Sequence, residues 1–293
     1  MEKSPDLSVV ILNFNTRDLT RKCLVSIYAS NMGEYRMEVI ICDNGSTDGS
    51  LESIKKEFPD ALLIENGKNL GFAAGNNPGI KSAKGRNILL LNSDTEVQPD
   101  TFRIMIDHMD GNPKIGASTC KLILADGTMD PACHRGFPSP WAALTYFSGL
   151  EKLFSKSRIF GQYHQGYKDL NTIHEVDMIS GAFFLARRKA VIEVGPLDEE
   201  YFFYGEDMDW CFRMKEKGWK IMFNPTAYTI HLKKKSGRAN TDRTRRIKTE
   251  IFFFQYNKLF YQKNYERYYP QIVMRCIYFL FDLRIFLLKH FSL

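Results

Sequence analysis

LLLNSDTE, residues 89–96, is an apolar run that passes directly into Asn92, Ser93, Asp94 and Thr95. A short apolar run bounded this way reads as a strand buried in a parallel sheet. Ligands of such sheets bind in the crevice beyond the strands' carboxyl ends. Asp94 therefore stands where a carboxylate can hold a divalent cation against a diphosphate, because Mg2+ or Mn2+ takes oxygen ligands and keeps several waters. The plainer alternative is that Asp94 caps the next helix.

Outward from this stretch the chain alternates strands and helices. Residues 8–12 read as a strand, and 18–29 as a helix with Leu19, Cys23, Leu24 and Ile27 on one face. A strand at 38–42, a helix at 49–58, a strand at 61–64 and a helix at 73–83 follow. Pro78 is expected to interrupt that last helix early, since its ring disfavours helix at Asn77. With the strand at 88–91, the order predicts a parallel nucleotide-binding sheet. Beyond it come a helix at 99–109 and a strand at 116–122. Residues 125–175 follow, rich in Gly, Pro and aromatics without period, and a loop of that length is usually functional or mobile. Strands at 182–186 and 220–223 frame a helix at 207–217 that Gly218 ends.

A chain of 293 residues with 44% apolar content holds one large α/β domain, or one domain with an appendage. The formal charge of +6 is uneven: residues 231–293 carry 14 Lys and Arg against 4 Asp and Glu. The six cysteines share no CxxC or CxH spacing and read as free thiols in a reducing compartment. The opening residues show neither a long apolar segment nor a small-residue cleavage site, so the body is expected in the cytoplasm.

Asp43 ends a strand in CDNGSTD, placed to accept hydrogen bonds from a nucleobase or ribose. Asn44-Gly45 makes a tight turn, and Ser46, Thr47 and Asp48 suit the cap of the next helix. A turn needs no carboxylate at Asp43, which favours a ligand role for it. NLGFAAGNN, residues 69–77, opens a helix with small residues that let backbone approach a ligand. Glu206, Asp207 and Asp209 crowd the start of a helix whose dipole keeps an Asp ionised, as a general base requires. The aromatic run 201–204 before them suits a sugar-sized cleft. His231 ends the strand-like TAYTIH; with Asp94 it could complete a metal site, and Lys233, Lys234 and Lys235 could neutralise phosphates.

In order, SVVILNFNTRD, ICDNGSTDGS, NLGFAAGNN, LLLNSDTEV, SGAFFLARR and GEDMDWCFR resemble glycosyltransferase family 2, above all its non-processive rhamnosyltransferase-like members. The likeness spans residues 7–238. It implies a GT-A fold, with a Rossmann-like, mostly parallel sheet flanked by helices and a C-terminal helical extension. It also implies inverting, metal-dependent transfer of rhamnose or another hexose from a nucleotide-sugar to a glycan or lipid-linked acceptor, in cell-surface polysaccharide synthesis. Carried over by position, Asp43 resembles the base-recognising Asp, and Asn15 and Asn76 fall in segments lining the nucleotide pocket. Asn92-Ser93-Asp94 occupies the place of the DxD motif with Asn for its first Asp, so Mg2+ or Mn2+ must rest on Asp94, with His231 resembling the metal-binding His. Gly181-Ala182 matches a small-residue strand start under the donor sugar. Asp207 matches the catalytic base, leaving Glu206, Asp209 and Trp210 as acceptor-site candidates. The rivals are a sugar nucleotidyltransferase, which would want a glycine-rich loop where residues 13–17 read NFNTR, and a membrane-bound scaffold of this fold that has lost catalysis.

These features divide the chain into a domain at 1–240, with a nucleotide-binding half at 1–98 and an acceptor half at 99–240, and an extension at 241–293. In QIVMRCIYFLFDLRIFLLKHFSL, from residue 271, Gln271, Arg275, Tyr278, Asp282 and Lys289 share one helical stripe and nearly all else is apolar. Its charges interrupt it too often for a membrane span, but the broad apolar face suits an anionic bilayer surface, drawn on by Lys233–Lys235, Arg238, Arg243, Arg245, Arg246 and Lys248. The expectation is peripheral attachment to the inner face of the cell membrane. The alternative is a helix packed on the core. No nucleic-acid module accompanies the charge.

Overall fold

The computed structural model describes residues 4–233 and 243–291; Lys234, Lys235, Arg238 and the side chain of Arg245 lie outside the described residues. Its first half alternates β1 (Leu7–Asn13), α1 (Arg17–Tyr28), β2 (Met37–Asp43), α2 (Ser50–Glu57), β3 (Leu62–Glu65), α3 (Phe72–Ser82) and β4 (Asn87–Asn92). β1 pairs in parallel with both β2 and β4, and β2 with β3. Val9, Val10, Ile11, Ile40, Ile41, Leu89 and Leu90 are buried between the helix layers, which explains their unbroken apolar runs.

α3 corrects the expectation of a break at Pro78. It runs unbroken through that residue because its neighbours hold it there. Asn77 Nδ2 donates to Leu197 O at 2.9 Å and Glu199 Oε1 at 2.8 Å, while its Oδ1 accepts from Leu197 N at 3.1 Å. The small residues also serve a different end from the one expected. A Cβ on Gly79 would lie 2.6 Å from Val10 and 2.7 Å from Cys42, and one on Gly75 2.8 Å from Asn44 and Leu12. The close approach is to the sheet itself.

The second half adds β5 (Thr95–Val97), α4 (Thr101–Gly111), β6 (Ile115–Leu124), α5 (Pro140–Phe147), α6 (Leu150–Leu153), β7 (His174–Val176), β8 (Phe183–Arg187), α7 (Arg188–Val194), α8 (Glu206–Glu216) and β9 (Lys220–His231). The strand order is β3-β2-β1-β4-β8-β6-β9-β5, with β7 also on β9. β8 enters antiparallel to β4, so the sheet changes direction beside the stretch that opened the sequence. β9 is one strand where two were read. A bulge between the pairs Cys120–Asn224 and Lys121–Tyr228 absorbs Pro225, one of the few places a sheet tolerates it, and the strand continues to His231. Residues 125–175 are less irregular than expected. α5 starts on Ser139, whose side chain accepts from Ala142 N, with Pro140 in the first turn.

α9 (Arg243–Phe260) and α10 (Gln271–Phe291) close the molecule. The aromatic run 201–204 is the seat of α9: Tyr201 meets Tyr256 at 6.0 Å and Phe202 meets Phe252 at 6.0 Å. Phe212 of α8 packs edge-on against Phe260 and Tyr265. α10 settles on α9 through Met274, Phe281 and Leu288, all buried, with Phe254 and Phe281 rings 6.2 Å apart. The core-packing reading of the tail therefore holds for one face of α10. Turned away from the core are Ile272 (66% exposed), Phe279 (65%), Leu280 (60%), Leu283 and Phe286. Among the described residues no helix is long and apolar enough to cross a membrane.

Candidate active site

The register gathers the predicted residues along one sheet edge. Asn13 lies beside Asp43, and Leu12 beside Asn92. Leu91 pairs with Phe183, so β8 starts where β4 ends, and Asn92 N donates to Ala182 O at 3.2 Å. Thr95 pairs with His231, which brings Asp94 and the end of β9 together.

On the β1–β2 side the two loops are laced into one another. Asp43 is fully buried; its Oδ1 accepts from Asn13 Nδ2 at 2.6 Å, and its Oδ2 from Gly45 N at 3.0 Å and Ser46 N at 2.8 Å. This corrects the reasoning from turn chemistry, because the turn does use the carboxylate. Ser46 and Thr47 serve the neighbouring loop: Asn15 N donates to Ser46 Oγ at 2.9 Å, and Thr47 N to Asn15 Oδ1 at 2.8 Å. Asp48 binds the backbone N–H of both Arg17 and Ser50, so it caps two helices. Asn13 Oδ1 also accepts from Thr16 and Thr20, and Thr16 Oγ1 lies 3.1 Å from Ser93 Oγ. A continuous polar network thus runs from Asp43 to Ser93. Asn76 does not join it; its Nδ2 bonds Phe72 O, one turn back in α3.

At the β4–β9 end, His231 Nε2 is 3.3 Å from Asp94 Oδ1, and His231 Nδ1 is 2.9 Å from Asp130 Oδ2. Lys233 Nζ and Ala132 N both bond Asp130 Oδ1, at 2.9 and 3.0 Å. Lys233 thus answers a carboxylate here. Burial alone would raise the Asp130 pKa and lower that of His231. The bonds they exchange, with those from Lys233 and Asp94, reverse both, so Asp130 is held well below the usual carboxylate range and His231 above the usual imidazole one. Among the described residues no three His, Cys, Asp or Glu side chains form a metal cluster. An oxygen and an imidazole nitrogen at this distance fit a hard divalent cation that completes its shell from phosphate and water. Nothing in the sequence singled out Asp130 except a turn-forming Asp-Pro pair inside the aperiodic stretch.

Asp207 faces the same strand start from α8. Gly181 N donates to its Oδ2 at 3.3 Å, Met208 N to its Oδ1 at 2.8 Å, and Arg135 Nη2 ion-pairs with it at 3.6 Å. Arg135, from the long connection, is a second residue the sequence reading missed. Glu206 is buried beside Asp207, and its Oε2 has no partner among the described residues. Desolvation and the neighbouring Asp207 push its carboxyl well above the ordinary range. Two acceptor-site candidates prove structural. Asp209 is buried and spent on Arg213 and on Asn264, which ties α8 to the C-terminal segment. Trp210 is fully buried, stacked on Phe184 at 4.9 Å and bonded to Gly195 O, so it presents no surface to an acceptor.

A carboxylate–imidazole pair lies on one side of the β8 start, a helix-borne carboxylate on the other, and a buried polar network behind them. The family model for glycosyl transferase family 2 matches residues 8–195. The chain belongs to glycosyltransferase family 2. This glycosyltransferase is 26% identical over 238 residues to the N-acetylglucosaminyl-diphospho-decaprenol L-rhamnosyltransferase of Mycobacterium tuberculosis, covering 78% of this chain and 76% of that one. The poly-beta-1,6-N-acetyl-D-glucosamine synthase of Staphylococcus aureus is 26% identical over 246 residues, 78% of this chain and 52% of the synthase. The mannosyltransferase PcManGT from Pyrobaculum calidifontis, solved with GDP-Man and Mn2+, superposes with a TM-score of 0.58 at 18% identity, over 86% of this chain and 64% of that one. The GT-A fold expected of the glycosyltransferase is the one observed.

Proposed function

We propose that this glycosyltransferase moves rhamnose or another hexose from a nucleoside-diphosphate donor to a glycan or lipid-linked acceptor, with inversion, in cell-surface polysaccharide synthesis. The observation that carries the reading is the pairing of Asp94 with His231 and the placing of Asp207 around one strand start. Asn15, Asp43 and Ser93 flank the nucleotide, and Gly181-Ala182 lies under the sugar. Mg2+ or Mn2+ bound at Asp94 and His231 would supply charge to the departing diphosphate. Asp207 takes the acceptor's hydroxyl proton as that oxygen bonds the anomeric carbon and the carbon–diphosphate bond breaks on the opposite face. Arg135 ion-pairs with the base, which also accepts the Gly181 backbone N–H.

The M. tuberculosis relative is named for a decaprenol-linked substrate. That name, together with the outward apolar face of α10, supports an acceptor met at the inner membrane surface. The test is a screen of nucleotide-sugars by thermal shift, then donor hydrolysis and transfer with Mn2+ and with chelator. Stabilisation and turnover by one donor only with metal is the expected result. Equal turnover in chelator would overturn the metal assignment.

A further inference from the structure

The α5–α6 hairpin and the chain just after it present a second apolar surface that neither the site nor the core uses. On α5, Trp141 (43% exposed), Leu144 (57%) and Phe147 (58%) follow one another at three-residue spacing on one side of the helix. Beyond the turn, Leu153 (76%), Phe154 (52%) and Ile159 (60%) are open as well. These are parts of one patch. Trp141 Nε1 donates to Ile159 O at 2.8 Å, and the half-buried Phe160 holds the Trp141 ring at 6.1 Å and the Phe154 ring at 5.4 Å.

The charges around the patch have one sign. Lys152, Lys156 and Arg158 are exposed between its apolar residues. The only carboxylate from residue 140 to 162, Glu151, is turned inward; it is buried and bonded to the backbone and ring of His164. Exposed apolar side chains interleaved with cations, and an indole at the rim, form a surface suited to the headgroup boundary of an anionic bilayer. A protein partner would have to bring carboxylates to meet three exposed cations, one of which, Arg158, also lies over the Tyr167 ring at 5.9 Å. A lipid surface answers them.

We propose that this hairpin is a membrane-contacting element of the enzyme, distinct from α10, seating on anionic lipid. It rests on the reading of a lipid-linked acceptor and deepens it. The same connection carries Arg135 beside Asp207, so a hairpin held at the headgroups brings the base toward an acceptor anchored in that surface. Phe147 joins the patch to α9 through Phe254, with ring centroids 6.2 Å apart.

Of the three tryptophans, Trp210 is fully buried and Trp219 is half-buried with Nε1 bonded to Glu193, so the difference between the parent and Trp141→Phe reports Trp141. The experiment uses the full chain with phosphatidylglycerol vesicles carrying brominated acyl chains, and with phosphatidylcholine vesicles as the uncharged comparison. Trp141 emission should shift to the blue and be quenched on the anionic vesicles, and Trp141→Phe should remove that response. Leu153→Ser with Phe154→Ser should weaken vesicle binding by at least about 10-fold, because each loses roughly a side chain's worth of burial. Both sites are already exposed, so the melting temperature should stay unchanged. A chain that sediments with anionic vesicles while Trp141 is unquenched would overturn the hairpin's role and leave α10 as the contact. A chain indifferent to every vesicle would remove the membrane reading as a whole. Dimerisation without lipid, abolished by the same two substitutions, would assign the patch to a second copy and overturn the proposal.

Discussion

Asp207 and Glu206 are adjacent carboxyls with opposite environments. Asp207 meets an N–H on each oxygen and a guanidinium, whereas Glu206 is buried with one oxygen orphaned. Asp207→Asn is expected to keep donor binding and lower kcat by about 10²–10⁴-fold, the usual range for a lost general base; retained turnover would pass the role to Glu206. Glu206 has a pH signature. Its folded-state pKa lies above the 4.5 of an unburied Glu, so the unfolded chain ionises first and stability falls as pH rises past that value. Glu206→Gln should therefore melt higher than the parent at pH 7–8, the gap closing toward pH 4 in thermal scans. For the metal, Asp94→Ala should abolish Mn2+-dependent nucleotide binding. Asp130→Asn should weaken Mn2+ by about 10- to 100-fold in titrations, the usual effect of releasing a ligand's orienting partner. Equal Mn2+ affinity in that variant would mean His231 is not steered by Asp130. Asp94, Asp207 and His231 were legible because each lies at the end of a periodic element. Asp130 and Arg135 were not, because their partners lie 101 and 72 positions away across an aperiodic connection.

At the scale of elements, the sequence was most readable where local preference and tertiary demand agree. β1, β2 and β4 are apolar runs because both faces are covered, and they stand within a residue or two of where periodicity put them. α3 departs from that reading because a tertiary clamp on Asn77 outweighs the preference of the Asn-Pro pair. Its glycines are the consequence of how near it lies to β1 and β2. Gly79→Ala must displace Val10 Cγ1 or Cys42 Sγ, both under 3 Å from the new methyl. That overpacking should cost roughly 1–3 kcal/mol, outweighing the helix-propensity gain of Ala. Urea midpoints compared with Gly111→Ala, which meets nothing within 4 Å in its α4 position, isolate the steric part. A neutral Gly79→Ala would show that α3 can move off the sheet without loss.

For the whole molecule, the question is how a mildly acidic catalytic body and a basic tail share one surface. Helical periodicity showed that residues 271–289 are amphipathic, but not which face the protein would cover, since that depends on Phe254 of α9 and on Tyr261 just after it. The tail is divided: Met274, Phe281 and Leu288 belong to the core, while Ile272, Phe279, Leu280, Leu283 and Phe286 point outward. Truncation before α10 would therefore uncover Phe254 and confound unfolding with loss of docking. Substituting the outward face avoids this. Phe279→Gln, Leu280→Gln and Leu283→Gln together should leave the melting temperature and turnover of a water-soluble acceptor unchanged. Sedimentation with anionic vesicles should fall at least about 10-fold, as apolar burial at the headgroup boundary is lost. Added salt should weaken the parent's binding only in part, because the apolar share is unscreened. If the triple variant sediments as the parent does, the outward face of α10 takes no part in docking. If it instead melts early, the face belongs to the fold after all.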